Sequence, residues 1–433
     1  MKSKYHIIRL ILLILSLNQM TNSLASENLT DQDHDLLTAS QLVSAVLATN
    51  PQLEVAKANW QAAIARIDQQ SALDDPMLVY SMAPQTIGST QTDYGQRIEI
   101  SQKLPWPGKL QLRSELASHK ANAINQDSDS IRLLLSATAK TLFADWYYIH
   151  QAIHINQLNQ TLLKDFQDIA VSRYSTSSAS KQDTLRIDVE IALLEHRAIV
   201  LDRERRSIAT HINRLLNRLP DAVIASPSVL PAIESLPDLK SLHELALQNR
   251  PELKVLTAHF DAAKTQSELA LKNSYPDINL KAGYNSLWEN RDKQFTVGIA
   301  VNLPLYQDKH RAAESEALAQ MKQAEWNKVD FVAKITEQVQ IAHDRATESM
   351  HVYSLYKNRL LPLAEENLEV ATVNYQSGKG DFLTLISTEI NLMQTQLQTK
   401  QALADIHKRV AELETAVGSL EPLSTATLTR AAP

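Results

Sequence analysis

Residues 96–113 read QRIEISQKLPWPGKLQLR. For about six residues apolar and polar side chains alternate, with Ile98 and Ile100 on one face and Arg97, Glu99 and Ser101 on the other. A two-residue period is that of a β-strand with unlike faces. Pro105 and Pro107 then break the pattern, and a helix starts behind Gly108. A second version, QFTVGIAVNLPLYQDKHR, occupies residues 294–311. Long helical runs with almost no glycine surround both stretches: the chain holds 8 Gly in 433 residues, and none lies between Gly108 and Gly283.

Two more segments alternate. Residues 77–82 do so weakly, and residues 277–285 set Ile278, Leu280, Ala282 and Tyr284 against Asn279, Lys281, Gly283 and Asn285. Residues 294–303 set Phe295, Val297, Ile299, Val301 and Leu303 against Thr296, Gly298, Ala300 and Asn302. The last two segments approach the nine to eleven residues that a tilted membrane strand needs. Polar loops, 85–93 and 286–293, join the members of each pair. Taken singly, each segment reads as a half-buried strand of a soluble domain. Four such strands amid helices, in a chain with an export signal, favour the membrane reading.

The chain is also duplicated. Leu42, Pro51 and Leu53 match Leu242, Pro251 and Leu253; Pro76 matches Pro276; Leu104-Pro105 matches Leu303-Pro304; Asp183-Thr184-Leu185 matches Asp381-Phe382-Leu383. The offset stays near 200 residues throughout, which marks a duplicated domain and not a solenoid unit. The expected layout is a first repeat over 26–220, a proline-rich linker over 221–240, a second repeat over 241–420 and a tail over 421–433. Each repeat opens with a helix, 39–72 or 241–272, which Asn50-Pro51 or Arg250-Pro251 splits in two.

Long helices follow the strands. Leu135, Ala139, Leu142, Trp146, Ile149 and Ile153 recur every three or four residues. So do Ile335, Val339, Ala342, Ala346, Ser349, Tyr353, Tyr356, Leu360 and Leu363. A mean spacing of 3.5 residues is the seam of a left-handed coiled coil. A helix over 126–174 would be roughly 70 Å long. Pro362 is expected to kink the second long helix. Each helix turns at a short tip, within 174–185 or 375–385, and a second helix returns.

The N-terminus is that of an exported chain. Lys2, Lys4 and Arg9 precede an apolar stretch over 7–17, and Ser23-Leu24-Ala25 supplies small residues for cleavage, so residues 1–25 read as a signal peptide. Removing it changes the net charge from −6 to about −9, which is not the balance of a nucleic-acid binder. There is no Cys, hence no disulfide, thiolate metal site or lipid-bearing Cys. After the signal no apolar run approaches eighteen residues, so any membrane crossing must use strands closed into a barrel.

The order helix–strand–strand–long helix–tip–helix, twice over, resembles the TolC-like outer-membrane efflux duct family across nearly all of the mature chain. The most family-like residues are Ser101-Gln102, Pro105, Pro107-Gly108-Lys109, Arg113 and Leu303-Pro304-Leu305, with the tips Tyr174…Asp183-x-Leu185 and Tyr375-x2-Gly378-x2-Asp381-x-Leu383. The PWPGK segment is most similar to the branch that serves heavy-metal cation pumps. The resemblance implies a mostly α fold whose four strands per protomer join a 12-stranded β-barrel in a homotrimer. It also implies a hollow helical extension across the periplasm of a Gram-negative bacterium, a periplasmic adaptor, an inner-membrane pump, outer-membrane lipid as surroundings, and no nucleic acid. In that reading Arg97, Glu99, Asn279, Lys281 and Asn302 line the lumen, and Ile98, Ile100, Val297, Ile299 and Val301 face lipid. Tyr80, Tyr94, Tyr284 and Trp288 are candidates for the aromatic belt. The first tip, STSSASK over 175–181, departs from the family pattern in lacking Gly.

No catalytic constellation, cofactor motif or metal-ligand set emerges. His243-Glu244 lacks the second His of a metalloprotease helix, and no phosphate-binding loop occurs. His150 and His154 lie one turn apart, a spacing that is more commonly a polar helix face than a chelate. Asp183 and Asp381 each follow a tip. The plain reading of both is a helix cap; the functional one is a ring of carboxylates gating a trimer. Tyr174, Ser177, Lys181, Tyr375, Gly378, Lys379 and Gly380 form the expected adaptor-docking tips. The expected activity is passive exit of cargo from pump and adaptor across the outer membrane. A protein-secretion exit duct and a soluble periplasmic coiled-coil scaffold or adaptor are the alternatives.

Overall fold

A computed structural model describes residues 36–88, 94–175, 180–233, 235–288 and 294–423. The expected signal peptide, Ser177 at the first tip and most of the C-terminal tail lie outside these residues.

In chain order the elements are α1 (Ala39–Thr49), α2 (Pro51–Ser71), β1 (Met77–Met82), β2 (Gln96–Leu104), α3 (Lys109–Ser175), α4 (Lys181–Leu215), α5 (Leu239–Asn249), α6 (Pro251–Lys272), β3 (Ile278–Asn285), β4 (Phe295–Val301), α7 (Gln307–Leu355), a π-helical turn (Tyr356–Leu360), α8 (Leu361–Gln376) and α9 (Phe382–Val417). The first long helix is longer than expected from its seam alone. It runs unbroken from Lys109 through 67 residues, or about 100 Å.

The breaks at Asn50 and Arg250 have a use. Pro51 and Pro251 take the first position of α2 and α6, where a missing N–H costs nothing. The side chains just before them tie the two repeats shut in the same way. Asn50 Nδ2 donates to the Leu215 carbonyl at 2.9 Å, and Arg250 Nη1 to the Ala416 carbonyl at 2.9 Å. Thus a helix start in each repeat satisfies the open carbonyls at the end of that repeat's returning helix. Gly418 ends α9 at φ +78, and a Cβ there would meet the Arg250 backbone nitrogen at 3.0 Å, so both conformation and space require glycine.

The helices form one layer. Above the level of Asn50 and Arg250 their order is α2–α3–α6–α7; below it the order is α4–α3–α9, with α7 and then α8 at the far edge. The main core fills the lower part, with Phe143, Trp146, Ile149, Leu163, Ile187, Leu385 and Ile386 among its buried members. A smaller cluster gathers Leu242, Ile335, Val339, Ile406 and Leu413.

The second seam departs from expectation at one place. Ile335, Val339, Ala342 and Ala346 are buried, but Leu360 and Leu363 are exposed. Beyond Tyr356 the inward positions are Leu361, Ala364, Leu368, Ala371 and Tyr375. The step from 356 to 361 is five residues, and the intervening turn is π-helical. A π-turn inserts one residue, which advances the helix face by about 100°. It lies directly ahead of Pro362, whose ring nitrogen cannot donate to the preceding turn. The proline therefore comes with a phase shift.

The four strands form one antiparallel meander, β1-β2-β3-β4, and the two repeats meet at β2–β3.

Candidate functional site

The register of the meander sorts its side chains. Tyr80, Ile98, Tyr284 and Phe295 lie in one cross-strand row, and Leu78, Ile100, Ala282 and Val297 in the next. Leu280 and Ile299 share a third row with Gln102, and Leu104, Ile278 and Val301 a fourth. All four rows point to the same face. The opposite face carries Arg97, Glu99, Ser101, Lys103, Asn279, Lys281, Gly283, Thr296, Gly298 and Ala300, with Met77, Val79 and Ser81 of the weakly alternating β1. Glu99 is bridged there by Arg97 and, at 3.6 Å, by Lys281. The expected lumen and lipid sets therefore separate by register, except Asn302. Strand β4 ends at Val301, and the Asn302 side chain instead accepts from the backbone N–H of Asp277.

No helix covers the apolar face among the described residues. All of β1 is exposed, and Val297 is 89% and Ile299 70% exposed. An uncovered, contiguous apolar strand face rimmed by polar residues marks a protein or membrane interaction surface. Aromatic residues flank it at both ends. Tyr80, Tyr94, Tyr284, Phe295 and Trp288 cluster at the loop end; Trp106, Tyr275 and Tyr306 stand at the helix end. Both edge strands, β1 and β4, have one unpaired side. An even-stranded antiparallel meander places those edges antiparallel, so copies can join β4 to β1 and keep the pattern.

The base of the sheet explains the PWPGK segment. Lys109, 2% exposed, donates from Nζ to Asp277 Oδ1 at 2.7 Å and to the Tyr275 carbonyl at 2.9 Å. The Trp106 N–H donates to the same Asp277 oxygen at 3.0 Å, and the Trp106 ring stacks on Tyr275. Gly108 has φ +87, and a Cβ there would lie 2.8 Å from Lys272 Nζ. One repeat is thus locked to the other where strands become helices. Reading the sequence missed Asp277 and Lys109 as partners. The signal available was an acid and a base at matching strand–helix junctions.

At the far end Asp381 is the N-cap of α9 and accepts from the Thr384 N–H at 2.7 Å; hydrogen bonding from the Thr384 side chain and then its backbone holds the carboxyl below the usual range. Asp183 is not the cap of α4, contrary to expectation. Ser180 is the cap, and Asp183 closes a capping box from the third helical position, accepting from the Ser180 N–H at 3.1 Å. The two aspartates line one surface hollow with Arg173, Arg186 and Tyr375. Tyr174 and Lys181 are exposed there, as are Gly378 and Lys379; Gly380 is half-buried. Tyr375 differs: it is buried, packs on Phe382, and lies under the Arg173 guanidinium at 4.6 Å. Arg173 Nη1 also donates to the Tyr375 carbonyl at 2.7 Å. The two tips are clasped together, and Tyr375 is withdrawn from any docking surface.

His150 sits in the α3–α4 groove against Trp146, and burial with Arg205 nearby pulls its pKa down. Among the described residues no three His, Cys, Asp or Glu side chains are grouped to hold a metal ion.

Comparison with known proteins bears on this arrangement. A family model described as outer membrane efflux protein matches residues 242–419. Over that second repeat the chain is similar to the outer membrane efflux protein family. A cobalt-zinc-cadmium resistance protein of Cupriavidus metallidurans, CzcC, is 22% identical over 199 residues, 45% of this chain and 47% of that protein. The chain thus matches about half the length of that relative. Nodulation protein T of Rhizobium leguminosarum is 20% identical over 83% of this chain and 82% of that protein. The fold is that of the outer-membrane channel OprN, with TM-score 0.76 and 19% identity over 88% of this chain and 90% of that one.

Proposed function

We propose that this chain is an outer membrane efflux protein, the passive exit duct of a tripartite efflux system. Three copies pool their strands into a 12-stranded barrel in the outer membrane, and their helices continue it as a tunnel through the periplasm. The observation that carries this reading is the uncovered apolar sheet face, bounded by two aromatic rows and two unpaired edges, on top of helices about 100 Å long. In lipid an open edge leaves backbone groups without partners, so a four-stranded sheet must join others.

The helical layer has matching edges. On α4, Leu185, Val189, Ala192, His196 and Ile199 form a second 3.5-residue stripe, facing away from α3. Ile199 is 71% exposed. On the other edge Val352, Leu355, Leu360, Leu363, Val370 and Val373 are all exposed. A head-to-tail ring brings one edge against the other in each neighbouring pair.

The duct opens and closes at the tips, with Asp183 and Asp381 near the constriction. Tyr174, Lys181, Gly378, Lys379 and Gly380, with Ser177, meet a periplasmic adaptor, which in turn meets an inner-membrane pump. The cargo is heavy-metal cations, a reading supported by the name of the cobalt-zinc-cadmium relative and by the PWPGK segment. The test is deletion of the gene and growth on graded cobalt, zinc, cadmium and organic toxicants. Sensitivity to the metals, restored by the intact gene, is the expected result. Unchanged metal tolerance with new sensitivity to organic compounds would remove the cargo assignment.

A further inference from the structure

Below Asn50 and Arg250 the α3–α9 seam is the principal contact between the two hairpins. It carries three charged residues of α9 that meet or approach α3. Glu414, buried, is answered by Lys140 of α3 at 2.6 Å. Lys408 is answered by Asp145 of α3. Glu389, 3% exposed, is the exception: its Oε2 has no hydrogen-bond partner.

The two ion pairs fix the antiparallel register, which sets Glu389 level with Leu162, Leu163 and Phe166 of α3. Leu163 and Phe166 are buried core residues. Leu385, Ile386 and Met393, one turn away on α9, belong to the same core. The charged groups at this level on the packed elements are Lys164, Asp165 and Asp168 on α3, Glu365, Glu366 and Glu369 on α8, and Asp188 and Glu190 on α4. All but the half-buried Glu190 are exposed. Asp188 is already bonded to Gln167. Eight residues after Asp183 the first repeat has Ile191, packed on the core; eight after Asp381 the second has Glu389. A carboxyl thus occupies a position that the duplicated copy fills with a hydrocarbon.

We propose that Glu389 is a proton-operated latch on the seam between the hairpins: protonated, it lets α3 and α9 pack together near the tips; ionised, it drives them apart and favours the open end of the duct. Burial pushes its pKa from 4.5 up to about 7, with no opposing charge to lower it. The sign follows from linkage. The closed seam binds the proton more tightly than a seam opened to water. Closure is therefore fully favoured below pH 4.5 and is progressively lost until about pH 7, where the effect levels off. Between pH 5 and pH 7 the opening equilibrium rises about fortyfold. The Arg173–Tyr375 clasp joins α3 to α8 just beyond the end of this seam, so Glu389 acts on the segment immediately behind it.

Two measurements on the full-length protein in detergent or bilayer test this. The first is amide hydrogen exchange of residues 160–172 and 382–393 from pH 5 to pH 8, corrected for intrinsic rates. Wild-type opening should rise about fortyfold between pH 5 and pH 7, while Glu389→Gln and Glu389→Ile stay flat. Equal pH dependence in wild type and both variants would overturn the latch. The second is planar-bilayer conductance over the same range, where wild type should open as pH rises and both variants should not. The conductance arm rests on the duct reading; the exchange arm does not. A pH-dependent seam without conductance would therefore sink the duct and keep the latch. Conductance whose pH response survives both substitutions would sink the latch and keep the duct.

Discussion

Asp277 shows how much one side chain can hold. It accepts from Lys109 and from the Trp106 backbone, about 170 positions away in the chain, and so joins the two repeats. Asp277→Ala leaves the Lys109 ammonium buried without a counter-charge, at a cost of about 3–5 kcal/mol. A thermal melt should show that loss, and Asp277→Asn should recover part of it. At the tips the relevant residue is Asp381. Its carboxylate is stabilised by the Thr384 bonds, so it stays ionised above the usual carboxylate range and loses its capping strength only as pH falls below that range. Asp381→Ala is expected to lower the cation selectivity of single channels near neutral pH; unchanged selectivity would reduce the residue to a helix cap. None of this pairing was legible in the sequence, because Lys109 and Asp277 are distant in the chain and meet only when the repeats dock. The capping roles were half legible. An acid after a tip signals a helix start, but only geometry separates the cap, Ser180, from the third position, Asp183.

Elements were more readable, since periodicity is a local property. The breaks at Pro51 and Pro251, the alternating strands and the seam from Ile335 to Ala346 all follow from spacing. The continuation to Leu360 and Leu363 did not hold, because a π-turn adds one residue and leaves both leucines outward. The sequence marks that site only through Pro362. A variant combining Pro362→Ala with deletion of Lys357 removes the extra residue and the cause of the shift. It should retain most of the wild-type melting temperature. Deleting Thr347 alone, above the bulge, should cost much more, because it throws the residues after Ala346 out of the seam. Equal losses in the two variants would show that the π-turn does not set the phase. A buried seam residue such as Ile386→Ala is expected to cost about 2–5 kcal/mol wherever the helices are paired.

At the scale of the molecule the protomer is unfinished. Its sheet exposes an apolar face and two edges, and its helical layer exposes two apolar stripes. The alternation of the strands was readable, and so was the duplication. What no local pattern could show is that the register gathers the alternating apolar residues of β2, β3 and β4 onto one face, together with Leu78, Tyr80 and Met82 of β1, while no helix covers it among the described residues. Closure by neighbouring copies answers all of these exposures at once. The absence of native Cys allows a direct test. Place one Cys at Leu78 on β1 and another at Ile299 on β4, and join them in native membranes with thiol reagents of about 5 Å reach. Within one protomer the two strands are separated by about 14 Å, too far for such a reagent. The expected product is a covalent ladder of one, two and three chains that stops at three. A product that remains monomeric, or a ladder that runs past three, would contradict it.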